Sequence, residues 1–187
     1  MAISAFTVQV PSAEPLVKDL RERFDATTKL GVPAHITVLV PFMAPSDITP
    51  AVLHRAHQAL AAVRSFTFSL NAVGRFSETT YLAIAEPAPF IALTRAVTEA
   101  FPDFHPYGGA HDSVVPHLTV AHGNADEASE AEIELRRRLE ARGRIQADCT
   151  SVVLVENSTG RWEPMHVFAL PPCLNAGRDF SVAKGAP

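Results

Sequence analysis

The stretch PAHITVLVPF at residues 33–42 contains a histidine and a threonine two residues apart, and the same spacing recurs in VPHLTVAHG at residues 115–123. In an extended strand, alternate side chains point to one face and the residues between them point to the other. Each stretch therefore predicts a half-buried strand with an imidazole and a hydroxyl on its open face. The side chains predicted on these open faces are those of His35, Thr37, His117 and Thr119.

The presence of two copies carries more weight than either copy alone. A chain with eight histidines produces one histidine–threonine pair of this spacing readily by chance. Two copies, each on an apolar strand shortly after a proline, are much harder to produce by accident. The alternative interpretation is two ordinary strand histidines at solvent-exposed edges.

The predicted elements around the two pairs follow one another in the same order. Strand, helix, histidine-containing strand, helix and strand extend over about residues 3–76 and again over about 79–156. The sequence thus predicts one domain over residues 1–187, made of two pseudo-symmetric lobes at about 3–76 and 79–170 and a C-terminal tail at 171–187. Duplicated lobes would turn the two equivalent strands face to face across a shared cleft.

Local signals predict where several elements begin and end. An amphipathic helix is expected to end near Asp25, and a second helix is expected to start after a capping hydroxyl at Thr49. A later helix is predicted to begin at an Asp126 cap and to stop at Gly143. After it, residues 145–156 are predicted to form one strand of a final hairpin.

The composition favours a folded protein with a small ligand. The chain is 47% hydrophobic and 19% charged, which is ample material for a core. Its 16 basic and 20 acidic residues give a net charge of −4, whereas a protein that binds long nucleic acid usually carries an excess of positive charge. We therefore expect a small nucleotide or an RNA end as partner, no long duplex, no membrane, and a monomer.

The termini and the cysteines add two expectations. The N-terminal segment MAISAFTVQVP has no basic region before its short apolar run, so we expect no signal peptide and a cytoplasmic protein. Cys149 and Cys173 are far apart and belong to no zinc-type spacing. His54 and His57 are spaced like a helical metal pair but have no obvious acidic third ligand. The sequence requires no metal and predicts no cofactor.

Two His-x-Thr pairs on strands, about eighty residues apart, resemble the 2H phosphoesterase superfamily, which includes the 2′–5′ RNA ligase-like proteins and the cyclic phosphodiesterases. The resemblance covers nearly the whole chain. It implies a bilobal α+β fold with two antiparallel-rich sheets, flanking helices and a central groove. It also implies metal-independent chemistry on 2′,3′-cyclic phosphates or 2′–5′ phosphodiesters. The residues that match the catalytic positions of the family are His35, Thr37, His117 and Thr119.

The chemistry of these side chains agrees with that resemblance. Opening a cyclic phosphodiester needs a base for water and an acid for the leaving oxygen, and histidine serves both roles near neutral pH. Threonine hydroxyls can donate hydrogen bonds to the non-bridging oxygens, where negative charge collects. We expect His117 as the base and His35 as the acid in hydrolysis, although the sequence alone leaves this division open.

Three further side chains are candidates for substrate binding. Tyr107, in the loop before the second motif, could stack on a nucleobase, or pack on its own lobe. Trp162, at the start of the last strand, could line the groove, or take part in core packing. Arg75, near the end of a strand of the first lobe, could bind phosphate, or be an ordinary solvated arginine.

Three functions therefore compete. The first is a phosphoesterase acting on small cyclic phosphodiesters, which the acidic balance favours over a 2′–5′ RNA ligase or 2′–5′ phosphodiesterase acting on RNA. The second is a non-catalytic nucleotide-binding module, against which the intact His-x-Thr pairs argue. The third is a metal hydrolase, which would require ligand spacing supported by carboxylates.

Overall fold

The computed structural model describes residues 2–110 and 114–173, so residues 174–187 of the predicted tail lie outside the described residues. The strands are β1 (Ser4–Gln9), β2 (His35–Leu39), β3 (Phe66–Arg75), β4 (Thr79–Ile84), β5 (His117–His122), β6 (Ile145–Cys149), β7 (Ser151–Glu156) and β8 (Glu163–Ala169). The helices are α1 (Glu14–Phe24), α2 (Ala26–Lys29), α3 (Pro50–Leu60), α4 (Ala88–Ala100) and α5 (Ala125–Arg142).

The strands form one antiparallel sheet in the order β6-β3-β4-β5-β2-β1-β7-β8. The α+β class and the antiparallel pairing predicted from the sequence are confirmed. The two expected sheets are, however, the two halves of a continuous sheet. They meet at β2 and β5, where Ile36 pairs with Leu118.

One half of the sheet comes from a contiguous stretch, β3 to β6 at residues 66–149, whereas the other half combines β1 and β2 with β7 and β8 from later in the chain. The strand β3 precedes β4 in sequence but pairs with both β4 and β6, while β7 crosses over to pair with β1. The halves of the sheet therefore do not coincide with the segments 3–76 and 79–170 predicted as lobes. The segment 3–76 contributes β3 to the half with β4 and β5, and the segment 79–170 contributes β7 and β8 to the half with β1 and β2, which ties the two halves together.

The predicted single strand at residues 145–156 is wrong, because it is divided at Thr150 into β6 and β7. These two strands lie in opposite halves of the sheet, although only one residue separates them. The sheet must therefore curl until its β6 edge approaches β7. The backbone of Leu170 donates a hydrogen bond to the Thr150 carbonyl, 2.9 Å away, at this junction.

The helices cover one face of the curled sheet and leave the other face open. Helix α1 packs beneath β5, α5 packs beneath β3, β4 and β5, and α4 packs beneath β2, with α3 packed against α4. The apolar faces of these helices and the inward side chains of the strands form a continuous core. None of the helices in the described part of the chain combines the length and apolar character needed to span a membrane.

The local signals mark most helix ends correctly. Helix α1 ends before Asp25, and Thr49 caps α3 by accepting a hydrogen bond from the Val52 amide. The start of α5 differs from the prediction, because the capping side chain is that of Asn124, two residues earlier than Asp126. Gly143 ends that helix with a φ of 80°, a conformation that favours glycine.

Candidate active site

The two His-x-Thr pairs lie side by side on the open face of the sheet. The predicted arrangement of two strands face to face across a cleft is wrong, because β2 and β5 are antiparallel neighbours that meet at Ile36 and Leu118. Extending this register by one residue in each direction sets His35 opposite Thr119 and Thr37 opposite His117. The four side chains thus form a square in which like residues occupy the diagonals, about 7–8 Å apart.

The two strands share an irregularity directly after their motifs. The pairing register shifts by one residue after Thr37 in β2 and after Thr119 in β5. Both residues after each threonine are buried, so the alternation of buried and open positions breaks where the register shifts. Bulges of this kind occur often beside active sites because they re-aim side chains. The two bulges occupy matching positions relative to their motifs.

Both imidazole rings are held by the same backbone contact. Nδ1 of His35 lies 2.8 Å from the carbonyl oxygen of Pro33, and Nδ1 of His117 lies 2.6 Å from that of Val115. A carbonyl can only accept a hydrogen bond, so Nδ1 carries the proton in both rings. The neutral form of each ring therefore has an unprotonated Nε2, and this atom is the one available for acid–base chemistry.

The surroundings of the rings disfavour their charged forms. Burial lowers the pKa of His35 below its ordinary value, opposed by its hydrogen bond to Pro33; the Arg21 guanidinium lowers this pKa further, and the Asp25 carboxylate raises it. Burial likewise lowers the pKa of His117, opposed by its hydrogen bond to Val115. The His117 ring also lowers the pKa of His35, so a second positive charge at His35 is disfavoured. The pair is thus suited to hold one proton between two bases.

Tyr107, predicted to bind substrate, contacts the first motif directly. Its phenol is hydrogen-bonded to the Thr37 hydroxyl, and burial raises the pKa of this phenol. Its backbone amide donates to the Val40 carbonyl at 2.6 Å, and its φ of 54° is the left-handed conformation that few non-glycine residues adopt. Strained backbone of this kind is often found at functional sites. The loop therefore places the Tyr107 phenol beside Thr37.

The side of the groove next to His117 is aromatic. The rings of Phe76 and Tyr81 lie 5.4 Å and 4.8 Å from the His117 ring, and 4.6 Å from each other. Gly74 makes room for this cluster, because a Cβ atom there would lie 2.3 Å from the Tyr81 ring. This aromatic wall contributes to the burial that lowers the His117 pKa.

The side of the groove next to His35 contains a cavity of about 190 Å³. Trp162, the second predicted substrate-binding residue, lines it, and the Trp162 amide donates to the Leu30 carbonyl at 2.8 Å. The lining residues are Thr7, Gln9, Gly31, Val32, Pro33, His35, Val155, Trp162 and Pro164. The structure therefore brings Trp162 and Tyr107 to the histidine pair from different elements.

Arg75 does not reach the groove, which corrects its prediction as a phosphate-binding residue. It pairs with Thr80, whose hydroxyl bonds the Ala128 carbonyl of α5, so this position faces the helices. The Arg75 guanidinium donates to the Ala125 carbonyl at 3.3 Å and lies 3.5 Å from the Glu132 carboxylate. Alternation along β3 causes this orientation, because the neighbouring Gly74 occupies the groove face.

Metal-binding side chains form no cluster in the described part of the chain. Among residues 2–110 and 114–173, no group of three or more histidine, cysteine, aspartate or glutamate side chains is arranged to hold a metal ion. Cys149 is buried, and burial raises the pKa of its thiol to about 12. We therefore assign no residue as a metal ligand.

The chain was compared with known families and structures. The sequence model of the 2'-5' RNA ligase superfamily matches residues 8–161, which is most of the chain. The chain belongs to this superfamily. The resemblance to 2H phosphoesterases inferred from the two motifs is thereby confirmed. None of the curated proteins compared with the chain matches it.

Several solved structures share the fold. E. coli LigT complexed with 3'-AMP gives a TM-score of 0.55 at 17% identity, over 90% of this chain and 98% of LigT. LigT complexed with NADP+ gives a TM-score of 0.56 at 18% identity, over 90% of this chain and 97% of LigT. TT0787 of Thermus thermophilus gives a TM-score of 0.58 at 16% identity, over 91% of this chain and 98% of TT0787. At these identities the likeness demonstrates the fold alone.

Several residues of the site are absent from the sequence-based prediction. Gln9 and Tyr81 enter the groove because β1 and β4 flank the motif strands, and Phe76 enters from the turn after β3. The alternation of β1 does predict that Gln9 faces away from the core residue Val8. Which strand lies beside β2, however, depends on pairing that no local pattern reveals.

Proposed function

We propose that this chain is a metal-independent phosphoesterase that hydrolyses cyclic phosphodiesters, such as the 2′,3′-cyclic phosphate of a nucleotide or of an RNA end. The observation that carries this proposal is the pair of histidines on one open face, each with its Nδ1 bound to a carbonyl and its Nε2 free. One neutral and one protonated Nε2 supply the base and the acid that in-line hydrolysis needs.

The unequal sides of the groove support a division of labour. The cavity lies beside His35, so a nucleoside bound there would keep its 2′ and 3′ oxygens near His35. Attack in line must then come from the His117 side. His117 takes a proton from water as its oxygen bonds phosphorus, the bond to the ribose oxygen breaks, and His35 donates a proton to that oxygen. The product is a nucleoside monophosphate with one free ribose hydroxyl.

The two threonines complete the proposed site as hydrogen-bond donors to the non-bridging oxygens. They occupy the other diagonal of the square, on either side of the line between the histidines. Thr37 has the additional support of Tyr107, whose phenol stays protonated at neutral pH because burial raises its pKa. We propose that Tyr107 donates to Thr37 Oγ1 and so directs the Thr37 hydrogen toward phosphate. This role differs from the two that the sequence leaves open, stacking on a nucleobase and packing on its own lobe.

A second candidate function is 2′–5′ ligation or 2′–5′ phosphodiester cleavage on RNA. The same two histidines would serve it, with a ribose hydroxyl in the place of water. The LigT structures are complexes with 3'-AMP and NADP+, which are small nucleotides and fit either activity. The net charge of −4 favours the small substrate over a long RNA.

One assay separates these functions. The protein is incubated with 2′,3′-cyclic mononucleotides, with 2′–5′ dinucleotides and with RNA ends that carry a cyclic phosphate, each with and without EDTA. We expect turnover of the cyclic mononucleotides that EDTA leaves unchanged. Activity abolished by EDTA would contradict the two-histidine mechanism. Nucleotide binding without turnover of any substrate would favour the non-catalytic module.

Replacing Tyr107 by phenylalanine tests its role as a positioning residue. The variant keeps the ring but loses the hydroxyl that orients Thr37, so we expect kcat to fall by about 10-fold with KM nearly unchanged. In a Thr37→Val background the same change should have no further effect. In a Thr119→Val background, Tyr107→Phe should again lower kcat by about 10-fold. Equal effects in both backgrounds would show that Tyr107 acts independently of Thr37.

A further inference from the structure

The two histidines occupy equivalent positions, but their strand neighbours differ. In β1, Gln9 pairs directly with His35, and in β4, Ala83 pairs directly with His117. Side chains at directly paired positions share a face, with Cβ atoms about 5 Å apart. One histidine therefore has a carboxamide beside it, whereas the other has only a methyl group.

The carboxamide of Gln9 is unsatisfied within the described part of the chain. Its side chain is half-buried, lines the cavity beside His35, and makes no hydrogen bond with residues 2–110 or 114–173. A carboxamide offers an acceptor oxygen and a donor nitrogen side by side. It can therefore form two parallel hydrogen bonds with a planar group that presents the opposite pattern.

Apart from Thr7 and His35, the remaining walls of the cavity are apolar and held in place. Trp162 packs against the cluster of Ala5, Val153 and Val155 on the same face of the sheet. The loop that contains Leu30 is joined to Trp162, since the Trp162 amide donates a hydrogen bond to the Leu30 carbonyl. A volume of about 190 Å³ is below the roughly 300–1,000 Å³ typical of sites that enclose a drug-sized ligand. The cavity thus suits one ring system rather than a whole nucleotide.

We propose that this cavity binds the nucleobase of the substrate and that Gln9 recognises its edge. Trp162 supplies the apolar contact, and the Gln9 carboxamide pairs with an adjacent donor and acceptor. Adenine offers such an edge, because its N6 amino group donates and its N7 accepts, the pattern to which glutamine binds in a bidentate manner. The proposal rests on the proposed function, since it names the substrate class of the same site.

The substitution Gln9→Leu keeps the size of the side chain and removes both hydrogen bonds. For 2′,3′-cyclic AMP we expect kcat/KM to fall by about 10- to 100-fold. For ribose 2′,3′-cyclic phosphate, which lacks a base, kcat/KM should be unchanged. The matched control is Gln146→Leu, at an exposed glutamine on the edge strand β6. This substitution should leave kcat/KM unchanged for both substrates. An equal loss on both substrates would overturn the proposal.

The fluorescence of Trp162 provides a readout that does not depend on turnover, since it is the one tryptophan in the chain. We expect 3'-AMP to change this fluorescence, ribose 5-phosphate to leave it unchanged, and Gln9→Leu to weaken 3'-AMP binding about 10- to 100-fold. If the cavity binds 3'-AMP but no cyclic phosphate is hydrolysed, the proposed function fails and the base site stands. If cyclic phosphates are hydrolysed while 3'-AMP leaves the fluorescence unchanged, the base site fails alone.

Discussion

Replacing His117 or His35 by alanine should lower kcat for 2′,3′-cyclic AMP by about 10²- to 10⁴-fold, the usual contribution of a positioned general acid or base. Each ring presents a single Nε2 to the groove, because its Nδ1 is bound to the carbonyl of Val115 or Pro33. The histidine that remains cannot replace the lost one, because it must still act as the acid or the base itself. Loss of either ring should therefore lower kcat severely.

The pH dependence separates the two roles. In the intact protein both histidines have a pKa lowered by burial, so kcat/KM should peak below pH 6.5, the ordinary pKa of histidine. Activity falls in acid because the base becomes protonated, and falls in alkali because the acid loses its proton. His117→Ala should remove the fall in acid, and His35→Ala should remove the fall in alkali.

The matched control for these variants is His122→Ala. His122 ends β5, is exposed, and has its Nδ1 2.8 Å from the Thr79 hydroxyl. Its replacement should leave both the rate and the pH profile unchanged. If His35→Ala removed the acid limb instead, the roles would be reversed and the nucleoside would bind on the His117 side. A full rate in either motif variant would contradict two-histidine catalysis.

The substitution Asp25→Asn should reduce the free energy of unfolding by about 3–5 kcal/mol, the usual cost of leaving one partner of a buried ion pair alone. Arg21 Nη2 lies 3.0 Å from Asp25 Oδ2, and both side chains are almost fully buried, with 2% and 3% exposed. Arg21 Nε has no hydrogen-bond partner in the described part of the chain. Asparagine can still accept the hydrogen bond from the Thr27 amide, but its amide nitrogen takes the place of Oδ2, so the variant removes both the charge and the acceptor that faces Arg21.

Urea denaturation of a double-mutant cycle measures this effect. Arg21→Met alone should also be strongly destabilising, whereas Arg21→Met with Asp25→Asn should recover most of the loss, because no unpaired charge remains buried. The control Glu99→Gln breaks the exposed pair of Arg95 and Glu99, at the same i,i+4 spacing, and should leave the transition midpoint unchanged. Losses that simply add in the double variant would contradict a coupled buried pair.

The same ion pair shows why the sequence is incomplete as a guide to this site. Arg21 looks like one more polar residue on the outer face of an amphipathic helix. The structure buries it because α1 packs beneath β5, where the Asp25 backbone forms a bridge with His122. From there the Arg21 guanidinium lowers the pKa of His35, and the paired Asp25 carboxylate raises it. No local pattern predicts this position, since it depends on which strand the helix covers.

The sequence by itself determined the α+β class, most helix ends and the two His-x-Thr pairs, because these depend on local periodicity, capping and alternation along one strand. The tertiary structure alone decided that β2 and β5 are neighbours rather than opposite walls, and that residues 145–156 divide between the two halves of the sheet. It also decided that Gln9 lies beside His35 and that Arg75 faces α5. Strand order and register arise from contacts between residues distant in the chain, so alternation identifies a face without identifying its neighbours.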